Sequence, residues 1–471
     1  MGRARHANDA RGAFSKGKAR QQESVSLDPA INYLHPRRMP LAVVDMGPPP
    51  PFWLLAPFAL IILGIALGPL LLEKFWHRNY PKISVGLSLI VILHYLFLSR
   101  SPKPIIVSAE EYVSFISLIG SLFIVAGGIR IGIAGESTPL RNVLFLGLGG
   151  ILANVLGTTG AAMLLIRPWI RMNRYRITGF HIVFFIFIVA NVGGCLTPVG
   201  DPPLFLGYLR GVPFFWPLQR LWMEWLLVTV LLLGVFYWLD RRNFLKAPPE
   251  IRNKETEKET FHIEGWKNVS FLAVILLCVL IRGWGVPWGL PELIMGTTAW
   301  ISHRATSPLI RSQNEFSFEP LKEVAWIFVG IFTTLIPVIH LLTVHAHNLG
   351  HPSNLQYYWM TGSLSAFLDN APTYLTFLTL ALNLHEPALH LFDSTEVARF
   401  ALHDPNSLAA ISLGAVFFGA ATYIGNGPNL LIKSIADRSK IHMPSFFGYI
   451  LRYTLPILIP ILALTGWLFM R

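Results

Sequence analysis

The chain has 471 residues, of which 53% are hydrophobic and only 14% charged, against roughly 25% charged in an average soluble domain. That excludes a soluble protein of many buried helices, which needs far more polar surface. The formal net charge of +12 does not mark a nucleic-acid binder, because most Lys and Arg lie between apolar windows, where they set orientation and meet anionic headgroups. No GxxxxGK[ST] phosphate loop and no zinc-type Cys/His spacing occurs, and Cys195 and Cys278 lie within apolar segments rather than in a disulfide framework.

Residues 1–50 are polar and basic and read as a disordered tail without a signal-peptide apolar region. Apolar windows follow at about 53–72, 83–99, 110–129, 142–166, 180–208 and 218–239, and resume at 268–282, 287–302, 323–345, 355–383, 406–436 and 447–470. Windows of this length suit bilayer crossings. The expected fold is an all-α polytopic membrane protein of two transmembrane repeats, 51–240 and 268–471, joined by a charged cytoplasmic linker, 241–267. Thr197, Gly200, Asp201 and Pro203 match Thr422, Gly425, Asn426 and Pro428 at a constant offset of 225, and a weaker match relates Glu110, Phe115 and Ala153 to Glu323, Phe328 and Ala366 at 213. Internal repeats of this kind mark secondary transporters.

Two windows carry polar and turn-forming residues at their centres: "ANVLGTTGAAM" within 142–166 and "AFLDNAPTYLTF" within 355–383. Both read as re-entrant hairpins, tolerated at membrane depth where protein or a cavity covers the backbone. Five crossings plus one hairpin per half would invert the second half relative to the first and put both termini on one side. Basic residues gather on the other side, among them Arg167, Arg171, Arg174, Arg176, Arg241 and Arg242, which makes that side cytoplasmic and the termini extracytoplasmic. The basic tail opposes this orientation, and a start at Met46 would remove most of the conflict.

"TPVGDPPLF" at 197–205 and "TYIGNGPNL" at 422–430 are too rich in Gly and Pro for an unbroken helix. A broken helix presents free carbonyls at one half-helix end and free N–H groups at the other. With Thr197, Thr422, Asn426 and Asn429 as neutral oxygens and Gly200 and Gly425 allowing close approach, the breaks suit a small cation. Asp201 and Asp369 are the candidate exchangeable carboxylates, because an acid near mid-membrane costs about 2.5–3.5 kcal/mol on insertion scales. The bland alternatives are that Asp201 caps a half-helix or pairs with Arg210. Asn370 is a candidate neutral ligand, and Thr158 and Thr159 are candidate contacts at the first hairpin tip. Lys433 reads either as a counter-charge or as a side chain snorkelling to the interface; Glu110 and Glu323 are expected at helix ends; and His94, His181 and His340 are more simply packed than proton-relaying.

These motifs, "NVLGTTGAAMLLIRP", "NVGGCLTPVGDPPLFLGYLRGVPFFW", "SAFLDNAPTYLTF" and "ATYIGNGPNLL", resemble the ion transporter superfamily. That group includes D-type sodium/proton antiporters, arsenite permeases and citrate or dicarboxylate transporters, and the likeness is closest to a branch labelled sodium:proton antiporter or citrate transporter. The resemblance spans roughly 52–471. It implies two inverted repeats, opposed hairpins and unwound helices meeting at a central site, elevator-like or rocking alternation, and a homodimer. Gly200-Asp201 matches the antiporter pattern, whereas Gly157-Thr158-Thr159 and Asp369-Asn370-Ala371 depart from the Ser-Asn-Thr hairpin tips of dicarboxylate carriers. The expectation is therefore a non-enzymatic exchanger of Na⁺ for H⁺ in a bacterial inner membrane, with Na⁺ at Asp201 and Asp369 and no cofactor beyond these coupling ions. Its partners are the bilayer and a small ion or anion, without nucleic acid. An ion-coupled carrier of citrate or another organic anion is the first alternative, and an arsenite-type efflux permease the second.

Overall fold

The computed structural model describes residues 46–132, 137–246, 262–346 apart from Gly283 and Gly285, 350–385 and 394–471. The expected tail up to residue 45, most of the linker and part of the loop near Glu386 lie outside the described residues.

The first half runs through α1 (Ala56–Leu71), α2 (Glu73–Leu93, continued by a π turn at His94–Leu98), α3 (Lys103–Ala126), the bent α4 (Pro139–Met172), α5 (Gly179–Ile188), α6 (Pro202–Arg210) and α7 (Trp216–Lys246). The second contains α8 (Lys267–Arg282), α9 (Leu290–Ala305), a short α10 (Pro308–Gln313), α11 (Glu319–His345), α12 (Asn354–Ser365), α13 (Asn370–His385), α14 (Ser394–His403), α15 (Pro405–Phe418), α16 (Gly427–Arg438), and a last rod of α17 (Phe446–Tyr449), a π segment and α18 (Ile459–Phe469). Seven helical segments among the described residues are long and apolar enough to cross a membrane. The windows at 268–282 and 287–302 form helices of only 16 residues each, short of the ~20 that a full perpendicular span needs.

Two features differ from the sequence reading. Helix α7 continues past the expected boundary at residue 240 to Lys246, with the Arg242 guanidinium 3.6 Å from the centroid of the Trp238 ring one turn back. The end of the linker is also structured: β2 (His262–Glu264) pairs antiparallel with β1 (Arg130–Gly132), Arg130 opposite Glu264, and Arg130 donates to that Glu264 carboxylate at 3.2 Å.

Burial explains the layering. In α5 every residue from His181 to Ile188 is buried, and in α15 every residue from Ser407 to Phe418 is buried. Helices that are apolar all round occupy the centre of a bundle. Peripheral elements instead show an apolar outward stripe, as on the first arm of α4 at Leu140, Leu144, Leu148, Ile151 and Val155; a polytopic membrane protein turns such a face to lipid.

The chain is interrupted at both expected hairpin tips and at both expected breaks. In α4 the helix is interrupted at Gly157, whose φ of 72° and ψ of 154° leave the helical region. The second hairpin turns between Ser365 and Asn370. The breaks share one construction. A 3₁₀ turn (Val192–Leu196, or Gly419–Ala421) ends in an extended threonine, Thr197 (φ −140°, ψ 155°) or Thr422 (φ −140°, ψ 169°). A tight turn follows, and an extended residue then takes the position before the next helix, Asp201 (φ −143°, ψ 145°) or Asn426 (φ −151°, ψ 140°), in neither case with a side-chain capping bond to that helix.

Each threonine clamps its break to the neighbouring hairpin. Thr197 Oγ1 donates to the Asn154 carbonyl at 2.6 Å and accepts from Gly200 N at 3.1 Å. Thr422 Oγ1 donates to the Ala366 carbonyl at 2.5 Å and accepts from Gly425 N at 3.1 Å. Glycine is required where the chain folds back: a Cβ on Gly200 would stand 2.1 Å from Gly194 O, and one on Gly425 2.7 Å from Gly419 O. Gly200→Ala is therefore expected to destabilise the detergent-solubilised protein by about 1–3 kcal/mol, and Gly425→Ala by less, read as the fall in its thermal unfolding midpoint.

Candidate functional site

The first hairpin tip, the second hairpin tip and the two breaks converge on Asp201. Thr158 Oγ1 donates to Asp201 Oδ1 at 2.9 Å, Asn426 Nδ2 donates to the same oxygen at 3.1 Å, and Asn370 Nδ2 donates to Oδ2 at 2.5 Å. The carboxylate is 1% exposed. All three donors are neutral, and among the described residues Asp201 forms no ion pair; Asp369 is a nearby acid.

The local sequence accounts for this convergence. The Gly157 bend exposes the amide of Thr158, which donates to Gly200 O at 2.8 Å and docks the hairpin on the break. Four helical N-termini then surround one carboxylate: the second arm of α4 from Thr158, α6 after Asp201, α13 from Asn370 and α16 after Asn426. Each contributes partial positive charge. Beside the carboxylate, Asn370 Oδ1 is buried and has no hydrogen-bond donor, an acceptor that a bound cation or a ligand hydroxyl would satisfy.

A small recess reaches Asp201 between α3, the first hairpin tip and the first break. Thr158, Thr159, Gly200 and Asp201 line its polar side; Leu118, Leu122 and Phe205 line the apolar side.

Of the residues singled out in the sequence, Asp201, Thr158, Asn370 and Asn426 form one hydrogen-bonded cluster. Thr197, Gly200, Thr422 and Gly425 shape the breaks. Asn429 buttresses the second break, donating to Gly419 O at 2.8 Å and Thr422 O at 2.9 Å. Thr159 lines the recess, half-buried. Asp369 is turned to its own helix, where its Oδ1 accepts from Ala371 N at 3.0 Å. Among the described residues no group of three or more His, Cys, Asp or Glu is arranged to hold a metal ion, so a cation at Asp201 would draw on amide, hydroxyl and main-chain oxygens.

The suspected Asp201–Arg210 pair does not form. Arg210 is engaged by Glu111 of α3, with Nε 2.6 Å from Oε1 and Nη2 donating to Oε2 at 2.7 Å. Glu110, expected at a helix end, lies two turns inside α3 and only half-buried, while its neighbour Glu111 is the buried acid. Lys433 donates to Asp437 at 2.8 Å, so it is not a counter-charge for Asp201. His340 shares a hydrogen bond with Tyr95 at 3.0 Å, and His181 sits 3.0 Å from Asp240; both are packed, partnered side chains.

Sequence reasoning passed over Asn154 and Asn191. Asn154 joins the first hairpin to the 3₁₀ turn, donating to Gly193 O at 2.6 Å and accepting from Leu196 N at 2.8 Å. Asn191 bridges toward the second break, donating to Asn429 Oδ1 at 2.8 Å. An asparagine inside an otherwise apolar window was the available signal for each.

Glu111→Ala would leave the Arg210 guanidinium buried without its partner, a loss of about 3–5 kcal/mol; a matching drop in thermal stability, measured in detergent, checks it.

No curated protein matches the chain. The CitMHS_2 family, described as "Putative citrate transport", matches residues 49–470, which includes both hairpins, both breaks and the Asp201 cluster. The chain belongs to that family and is a multi-pass membrane transport protein.

Proposed function

We propose that the protein is an ion-coupled secondary transporter of citrate or a similar organic anion, and that Asp201 takes the coupling cation. The observation that carries this reading is a buried carboxylate held only by neutral donors at the meeting point of four helix N-termini. An ionised Asp201 without a cation is costly in so dry a place. Neutralised by H⁺ or Na⁺, it leaves a site whose fixed partial charges are positive, and such a site attracts a carboxylate ligand without any arginine. The anion is then admitted only after the cation, and neither crosses readily alone. The family description supports the substrate class.

Alternating access would follow from two inverted repeats, each of five crossings and a hairpin, in which the hairpin tips and breaks move against the outer helices. The matched dihedrals and matched threonine clamps support this arrangement. A homodimer in a bacterial inner membrane, with both termini outside, accompanies the reading; the loop charges support the orientation.

Na⁺/H⁺ exchange is the second reading, favoured by one observation: the partnerless Asn370 Oδ1 beside the Asp201 carboxylate, a pair of oxygens on which Na⁺ and H⁺ could compete.

Proteoliposomes separate the two. Labelled citrate should accumulate when an inward Na⁺ or H⁺ gradient is imposed and stop when the gradient is collapsed, and Asp201→Asn should reduce gradient-driven uptake by at least tenfold. A proton efflux that answers Na⁺ with no organic anion present, and no citrate uptake, would instead establish exchange. In the same assay, driven by a Na⁺ gradient, Asn370→Ala, which removes the partnerless oxygen beside Asp201, is expected to raise the Na⁺ concentration for half-maximal uptake several-fold.

A further inference from the structure

We propose that Asn191 is a positioning residue that sets how firmly Asp201 holds its cation, by competing with Asp201 for the amide hydrogens of Asn426. The proposal rests on the reading of Asp201 as the coupling group.

The Asn426 amide carries two hydrogens, yet its Nδ2 faces three acceptors at nearly equal distance: Ala190 O at 3.2 Å, Asn191 Oδ1 at 3.1 Å and Asp201 Oδ1 at 3.1 Å. One acceptor is always underserved. When Asp201 is ionised and empty it is the strongest of the three. When a proton or metal ion occupies it, its claim weakens and the hydrogen passes to Asn191.

Asn191 is held in the orientation this requires. Its Nδ2 donates to Ile186 O at 2.9 Å and to Asn429 Oδ1 at 2.8 Å. Asn429 cannot turn to oppose it, because its own Nδ2 is committed to Gly419 O and Thr422 O. The Asn191 oxygen is thereby aimed at Asn426, and the amide chain Asn429–Asn191–Asn426 ends with a donor directed at Asp201. Asn191 is fully buried, at the point where α5 gives way to the first break, so water does not replace it.

Few other ionisable groups bear on this cluster. Asp369, just before α13, is the nearby acid, its Oδ1 turned to Ala371 N. Cys195 lies in the adjoining 3₁₀ turn, with Glu224 of α7 and Tyr358 of α12 near it. On α6, Arg210 is bound to Glu111 of α3; on α16, Lys433 is bound to Asp437; on α5, His181 is bound to Asp240. Helix α15 carries no ionisable side chain.

The test is a pH titration of the purified full-length protein, following the protonated-carboxyl infrared band that Asp201→Asn abolishes. This readout does not depend on citrate, so failure of the transported substrate and failure of this inference are separable. Asn191→Ala and Asn191→Leu, the second filling the space with no acceptor, should each lower the midpoint by roughly 0.5–1 pH unit, the size of one net hydrogen bond. Asn426→Ala should raise it. The Asn191 change should add nothing in the Asn426→Ala background, because its effect passes through that amide. A midpoint unmoved by both Asn191 variants, or a shift that persists undiminished without Asn426, overturns the proposal.

Discussion

The structure is organised around the cost of keeping one carboxylate out of water. Asp201 lies in a span that must satisfy its own backbone, since lipid offers no hydrogen bonds, and its charge cannot be solvated from outside. Interrupted helices and bent hairpins provide what water would have provided: amide, hydroxyl and main-chain groups aimed inward, with helix ends lending partial positive charge. Thr197 and Thr422 hold those irregular segments in place by giving each break a carbonyl of its hairpin to bind. If either clamp or either tight glycine turn failed, the donors around Asp201 would lose their registration.

Other buried charges in the same molecule are handled differently. Arg210 is paired with Glu111, Arg282 with Glu292, and Arg176 with Asp240, the last also bound to His181 and Asn142. These pairs balance charge within the fold and fasten its elements: the first joins α6 to α3, the second α8 to α9, the third the turn after α4 to α7. At Asp201 the protein supplies dipoles and no counter-charge. Permanent pairing suits a joint, whereas a carboxylate without a fixed counter-charge suits the coupling role proposed for Asp201. Arg210 shows the distinction most directly. It is the Lys or Arg nearest in sequence to Asp201, and the fold directs it away to Glu111.

Much of this was readable from residues. Gly and Pro in the middle of apolar windows announced the breaks, since neither residue continues a helix without cost, and the 225-residue offset announced that they are built alike. Asp201, Thr158, Asn370 and Asn426 were each identifiable as polar groups where polar groups are expensive. Their partners were not. Whether Asp201 met Arg210, Asp369 or neither depends on how α3 and α13 pack against α6, and nothing within those segments encodes it locally. Asp201 and Asp369 look alike in the sequence, as acids in apolar surroundings; that Asp369 accepts from Ala371 N is a matter of backbone turn geometry.

The amino-acid sequence by itself determined the membrane class, the places where helices must break, and the residue types available at those places, because hydropathy and backbone propensity act over a few neighbouring residues. Only the tertiary structure decided which groups meet. The amides of Asn191, Asn426 and Asn370 come from segments far apart in the chain, and their hydrogen bonds to Asp201 or to one another depend on distances of a few ångströms set by the packing of the whole bundle.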